Sequence, residues 1–174
     1  MKKTFKETVA YLHETNVIWE DENPIKPERM PRHDDEGDLG ISFFRTDIEN
    51  IEFENLDMER SFFARSGITC CRFLNTSLKE SNLCWNDFID VIFFQCDLSQ
   101  SDLRGTLFEK VKFIDSDLTD CDLRHSEFKD CDFSGTQMQG VKLTRQKAES
   151  LNLTTKQLEA IDWQQNEGEE PAGG

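Results

Sequence analysis

From Phe43 to Leu143 an apolar residue stands at every fifth position, beginning Phe43, Ile48, Phe53, Met58, Phe63 and ending Phe128, Phe133, Met138, Leu143, 21 positions without an insertion. At 36% hydrophobic composition, chance gives such a run roughly once in a billion trials, so the period organises the chain. A helix repeats its apolar face every 3.6 residues and a half-buried strand every 2, and a spacing of five keeps neither on one face. Two places before each centre runs a second, mostly small series: Thr46, Ser61, Ser66, Cys71, Thr76, Ser81, Val91, Cys96, Ser101, Thr106, Val111, Ser116, Cys121, Ser126, Cys131, Thr136 and Val141. The other three places hold nearly all the charge. Each unit thus has two inward and three outward side chains, and four units separated by corners close a square coil of about 20 residues, stacked on the next at roughly 4.8 Å.

Every twentieth residue tests the square section. One column is Phe53, Phe73, Phe93, Phe113, Phe133; another is Met58, Leu78, Leu98, Leu118, Met138. The units "CDLSQSDLRGT", "SDLTDCDLRHS" and "CDFSGT" resemble the pentapeptide-repeat family over residues 41 to 145. The resemblance implies an all-β solenoid, a right-handed quadrilateral β-helix, here of about five coils with short helical caps. The chain departs from the family pattern in having no alanine at the small position and in the bulky Ile41, Ile51, Leu56 and Asn86.

A stack leaves an open edge at each end that must be covered. Thr4 is placed to cap a helix over about 5 to 15, with Phe5, Val9 and Leu12 on one face, followed by the Pro-rich, charged connector "EDENPIKPERMPRHDDEGD". After the stack, "LTRQKAESL" and "TTKQLEAIDW" read as two short helices capped by Thr144 and Thr154, with Leu151, Leu158, Ile161 and Trp163 facing the last coil, and "NEGEEPAGG" reads as a disordered tail. The expected organisation is 1–40, 41–145 and 146–174. The resemblance implies that such C-terminal segments often form dimer contacts, so cap and homodimer interface both stand.

The formal charge of −15 argues against direct nucleic-acid or anionic-membrane binding and favours a basic or positively polarised partner. No segment approaches 18 apolar residues, and the charged start lacks a signal-peptide core, which gives the expectation of a cytoplasmic protein. Cys71, Cys96, Cys121 and Cys131 fall at inward positions and read as packing; Cys70 and Cys84 point outward as free thiols. No nucleophile–base pair, phosphate loop or zinc spacing occurs, so no catalytic residue, cofactor or metal ligand is assigned and no enzyme is expected. Asp34, Asp35 and Asp38 in "RHDDEGD" read as a solvated loop rather than a hard-cation site.

The outward positions hold one anomaly. Leu74, Phe94 and Ile114 follow three successive Phe centres, with Ile92 beside them, forming an apolar column that either the N-terminal connector covers or a partner contacts. Trp85 is also outward, one coil from Arg65, within reach of a cation–π pair. Asp97, Asp102, Asp117, Asp120 and Asp122 gather as an acidic stripe. Two function classes follow. The first is a protein-binding module that blocks or neutralises a partner such as a toxin, in the manner of an immunity or resistance protein. The second, known in some members of the family, is DNA mimicry toward gyrase or another type II topoisomerase. The stack carries 19 acidic against 12 basic residues, a net of −7, where a duplex of its length carries about 14 phosphate charges, so the mimicry is half strength.

Overall fold

The computed structural model describes residues 1–37 and 39–166. Its body is a right-handed quadrilateral β-helix. The first face begins with β1 (Ser42–Phe44), the second with β2 (Asp47–Glu49) and the third with β3 (Glu52–Glu54); the fourth is held by isolated bridges such as Asp57↔Ser77↔Asp97↔Asp117. The next coil supplies β4 (Phe62–Ala64), β5 (Gly67–Thr69) and β6 (Arg72–Leu74). Later coils add β7 (Asp87–Ile89) and β8 (Ile92–Phe94), β9 (Leu107–Glu109) and β10 (Lys112–Ile114), then β11 (Glu127–Lys129) and β12 (Lys142–Thr144). Pairing is parallel and always twenty residues apart, as in Phe53↔Phe73↔Phe93↔Phe113. Five residues therefore make one side.

The corner is a single residue. Every fifth residue from Arg45 to Gly140 has a positive φ, at values from 45° to 69°, and only Gly105, Gly135 and Gly140 among them are glycines. The left-handed turn costs a non-glycine residue about 1–2 kcal/mol; inter-coil hydrogen bonds offset it, for the corner amide donates to the coil above, as Asn75 N–H does to the Phe94 carbonyl at 2.9 Å.

Of the 21 centres, all are buried except Phe128, which is half-buried. It lies on β11, the last strand of its sheet. The third-face rings stack at 4.6, 4.9, 4.9 and 5.1 Å, and a second ladder of Phe88, Phe108 and Phe128 meets them edge-on, as in Phe88–Phe93 at 5.6 Å.

The small series explains its own departure from alanine. Ser61 N–H donates to Ser81 Oγ and Ser81 N–H to Ser101 Oγ, while Ser101 Oγ donates to the Leu78 carbonyl. Asn86, buried in the same series, is fully satisfied by Ser66 N–H and the carbonyls of Phe63 and Leu83. From Ser66 to Thr136 each hydroxyl of the series links two coils, which alanine cannot do. Two members differ from the expectation: Thr46 is exposed and Cys131 half-buried, because each lies near an end of the stack where a neighbouring coil is missing.

Both ends are closed by hydrogen bonds as well as by apolar cover. Helix α1 (Phe5–Glu14) starts with a Thr4–Glu7 capping box and buries Leu12 against the first coil. Thr8 Oγ1 accepts the Asp57 amide at 2.9 Å, and Lys3 N–H reaches the Asn55 carbonyl at 2.7 Å. At the other end Thr144 caps α2 (Arg145–Ala148) and Thr154 caps α3 (Thr155–Ala160). Gln157 Nε2 donates to the carbonyls of Phe133 and Thr136, at 2.7 and 3.0 Å, satisfying the last coil's open edge.

The second expected helix stops early, and Asp162–Gln164 forms β13, paired with β12 through Leu143↔Trp163. The chain thereby completes about six turns rather than five. Leu151 and Ile161 are buried there and Trp163 is partly buried, but Leu158 is 38% exposed, since Gln157 takes the inward place on α3. Apart from Asn166, whose Oδ1 accepts the Gln146 amide, the expected disordered tail lies outside the described residues, as does Asp38.

Candidate protein-binding surfaces

In each three-residue strand the centre points inward and both neighbours point out. On β6, β8 and β10 this sets Leu74, Phe94 and Ile114 in register on one outward row, with Arg72, Ile92 and Lys112 on the other. Phe94 is 38% exposed, and Leu74, Ile92 and Ile114 are half-buried. The patch has a polar rim: Glu54 and Ser134 end the apolar row, Arg72 pairs with Glu52 at 3.1 Å, and Asn75 donates to Asn55 at 2.7 Å along the adjoining corner. An apolar centre inside a polar rim is the composition of a protein interface.

The N-terminal connector does not cover it. Lys26 binds Asp57 and Glu59 at 3.0 and 2.8 Å, Arg60 donates to the Pro27 carbonyl, and Asn82 donates to the Pro31 carbonyl. These anchors lie on the fourth and first faces, whereas the column is on the third. Asn82, held by the connector at Pro31, is buried there.

Trp85 is a corner residue, 60% exposed, whose ring lies on the next coil at Gly105, where a Cβ would come within 2.6 Å of it. The anticipated cation–π pair with Arg65 does not form among the described residues; contact with Gly105 draws the ring away from the preceding coil.

The acidic stripe wraps one corner. Asp97 and Asp117 are bridged on the fourth face, Asp102 and Asp122 on the first, and Asp120 occupies the corner between them. Four of these carboxylates also shape turns by accepting an amide two residues on, from Ser99, Arg104, Thr119 and Arg124. Arg104 and Arg124 further grip Asp102 and Asp122 at 2.7 and 2.6 Å. Burial pushes the Asp122 carboxyl upward, but the Arg124 side chain and amide outweigh it and hold the group below its ordinary value.

Five of the six thiols are packing groups whose burial favours the protonated form, whereas Cys70 is exposed. Burial pushes Cys84 and Cys96 up to about 11, and Cys84 Sγ lies 2.9 Å from Asn82 Oδ1, half-buried rather than fully outward. In the acidic loop Asp35 is held by Arg29 at 2.6 Å and by the Arg32 amide. Among the described residues no group of three His, Cys, Asp or Glu side chains is placed to hold a metal ion, and no helix is long and apolar enough to cross a membrane. On the edge between the first and second faces, where Phe44, Arg45, Arg65 and Trp85 are all exposed, the sequence reading named Trp85 and Arg65 but passed over Phe44 and Arg45. The twenty-residue step from 45 to 65 to 85 carries that signal.

A family model described as a pentapeptide repeat region matches residues 86–163, which takes in the C-terminal turn with β13. No curated protein sequence matches the chain. Solved structures that resemble it include the pentapeptide repeat protein Rfr23 of the cyanobacterium Cyanothece 51142, at 15% identity over 72% of this chain and 88% of that one, with a TM-score of 0.39. A pentapeptide repeat protein of the Arabidopsis thaliana thylakoid lumen matches at 22% identity over 64% and 71%, TM-score 0.33. QnrB1, a plasmid-mediated fluoroquinolone resistance protein, matches at 17% identity over 59% and 58%, TM-score 0.27. At these identities the likeness concerns the fold alone.

Proposed function

The chain belongs to the pentapeptide-repeat family, and on that premise we propose that it is a non-enzymatic protein-binding module that blocks or neutralises a protein partner of the immunity or resistance type. The family is consistent with protein-interacting modules. The observation that carries the reading is the column of Leu74, Phe94 and Ile114, in register and left uncovered by the chain's own connector. Polar side chains cost nothing at outward positions of a strand, so three apolar ones at matched height are explained by contact with another surface. The rungs beneath them are fixed by stacked rings and continuous ladders, so the surface is pre-organised and little ordering opposes binding.

DNA mimicry ranks second. Two of the five stripe carboxylates are engaged by Arg104 and Arg124, so part of the basic charge that holds the stack to about half the density of a duplex sits on the stripe itself.

Phe94→Ser tests the reading. It should leave melting of the protein nearly unchanged while abolishing self-association or capture of a purified partner. A fall in thermal stability with association intact would mean that the column serves internal packing.

A further inference from the structure

Arginines in this acidic chain almost always find a carboxylate or a ring. In the stack, Arg60 holds Glu80 at 2.6 Å, Arg72 holds Glu52 at 3.1 Å, and Arg104 and Arg124 hold Asp102 and Asp122. Beyond β12, Arg145 lies 4.4 Å from the Trp163 ring. Within the stack Arg45 and Arg65 differ in holding no carboxylate among the described residues, Arg45 meeting the Phe44 ring instead, although acidic side chains outnumber basic ones 35 to 20 in the whole chain. Both occupy the corner between the first and second faces, with φ of 52° and 54°, on successive rungs, and both are exposed. Phe44, 45% exposed, lies 5.2 Å from the Arg45 guanidinium at one end, and Trp85, 60% exposed, occupies the same corner on the following rung. The edge therefore reads aromatic, arginine, arginine, aromatic over roughly 10–14 Å of stack.

We propose that this edge is a docking site for a short acidic segment of a protein partner, whose carboxylates bridge Arg45 and Arg65 while flanking apolar side chains lie on Phe44 and Trp85. Two like charges one rung apart repel each other without a counter-charge, and exposed guanidinium forks grip carboxylates in pairs of hydrogen bonds. Alternate residues of an extended peptide face the same way about 6.6 Å apart. A segment with apolar, acidic, acidic and apolar residues at alternate positions spans about 20 Å, so its glutamates reach both arginines and its end side chains lean inward over Phe44 and Trp85. A nucleic acid fits worse, because its phosphates continue past the two arginines onto Asp47 and Asp87 of the second face and into the field of a chain at −15. The site is independent of the apolar column: that column borders the corner between the third and fourth faces, diagonally across the square, so one compact domain does not cover both.

The probe is a fluorescein-labelled seven-residue peptide with leucine at each end, glutamate at the third and fifth positions and serine between, measured by anisotropy on the full chain. Arg45→Gln and Arg65→Gln keep the fold, since Gln95 and Gln100 already occupy equivalent corners. Each should weaken binding roughly tenfold, the loss of one charge-assisted contact. Glutamine in place of the peptide's glutamates, or salt raised from about 50 to about 300 mM, should do likewise. Phe94→Ser should bind the peptide as the parent does, which separates this site from the column. Failure to bind, equal binding of the glutamine peptide, indifference to both arginine variants, or stronger competition by a single-stranded oligonucleotide would each overturn the proposal.

Discussion

Phe93 sits where the ring ladders cross, and its truncation should be among the most damaging single changes. It is fully buried, stacks on Phe73 and Phe113 at 4.9 Å each, and meets Phe88 edge-on at 5.6 Å. Phe→Ala in a core costs about 3–5 kcal/mol, and each aromatic pair adds roughly 0.5–1.5 kcal/mol beyond area, so with three pairs lost Phe93→Ala belongs at or above the top of that range. Phe53 is equally buried, but among the described residues Phe73 is its single ring partner, and Phe53→Ala should cost less by about two pair energies, on the order of 1–3 kcal/mol. Phe93→Asp should be worse than either, placing an unpaired carboxylate in the ladder. Urea unfolding followed by far-ultraviolet circular dichroism compares the three. Equal losses for Phe93→Ala and Phe53→Ala would refute the ring-pair argument, and soluble cooperative folding of Phe93→Asp would refute the placement of Phe93 inside.

The corner predicts that glycine is tolerated where a branched side chain is not. At Lys110, with φ of 53°, valine should lower thermal stability by about 1–2 kcal/mol whereas glycine should be close to neutral, and tolerated valine would mean that the corner is not held left-handed. For Glu59, burial raises the carboxyl's pKa, but hydrogen bonding and charge from Lys26 prevail and hold it below 4.5. A depressed folded pKa contributes stability that is complete above the unfolded value and is lost as pH falls through the folded one. Stability should therefore decline below about pH 4.5, and Lys26→Met should flatten that decline in acid-titration melts. Purified protein should neither inhibit gyrase supercoiling nor protect gyrase from a quinolone; protection that is lost on charge reversal at Asp117, Asp120 and Asp122 would move DNA mimicry ahead.

The interior was readable from sequence because the square coil converts spacing into position: a centre at Phe93 fixes Phe73 and Phe113 as its neighbours before any coordinates exist. The exceptions fall where that rule runs out. Thr46, Cys131 and Phe128 keep the period but lie near the ends, where burial depends on a coil that is absent. β13 was hidden for the opposite reason. Leu143 to Trp163 is another step of twenty, but α2 and α3 occupy the sides between them, and their strong capping signals at Thr144 and Thr154 mask the strand that follows. Side-chain direction on the surface was less legible. Spacing put Trp85 one rung from Arg65, yet Gly105 on the other side offers the ring a bare backbone to lie on, and that contact decides its direction. The connector's course was likewise decided by specific partners, Asp57, Glu59, Arg60 and Asn82, rather than by the apolar column that a general appeal to burial would have chosen.

These surfaces share a constraint that follows from the ladder. Every outward residue repeats at rung height, so a partner meets side chains spaced by roughly 4.8 Å along the axis and cannot draw them closer without breaking the pairing beneath. Charge is therefore graded by which residue stands on each rung. On the first face the rung at Asp102 is closed by Arg104 and the next at Asp122 by Arg124, while the corner beside them leaves Arg45 and Arg65 open. The same acidic chain thus offers a cationic edge and, diagonally across, an apolar one. A partner selected by net charge alone would be indifferent to Arg45→Gln and to Phe94→Ser, whereas a partner selected by the rungs would lose affinity to one and not the other. That contrast identifies which edge it occupies.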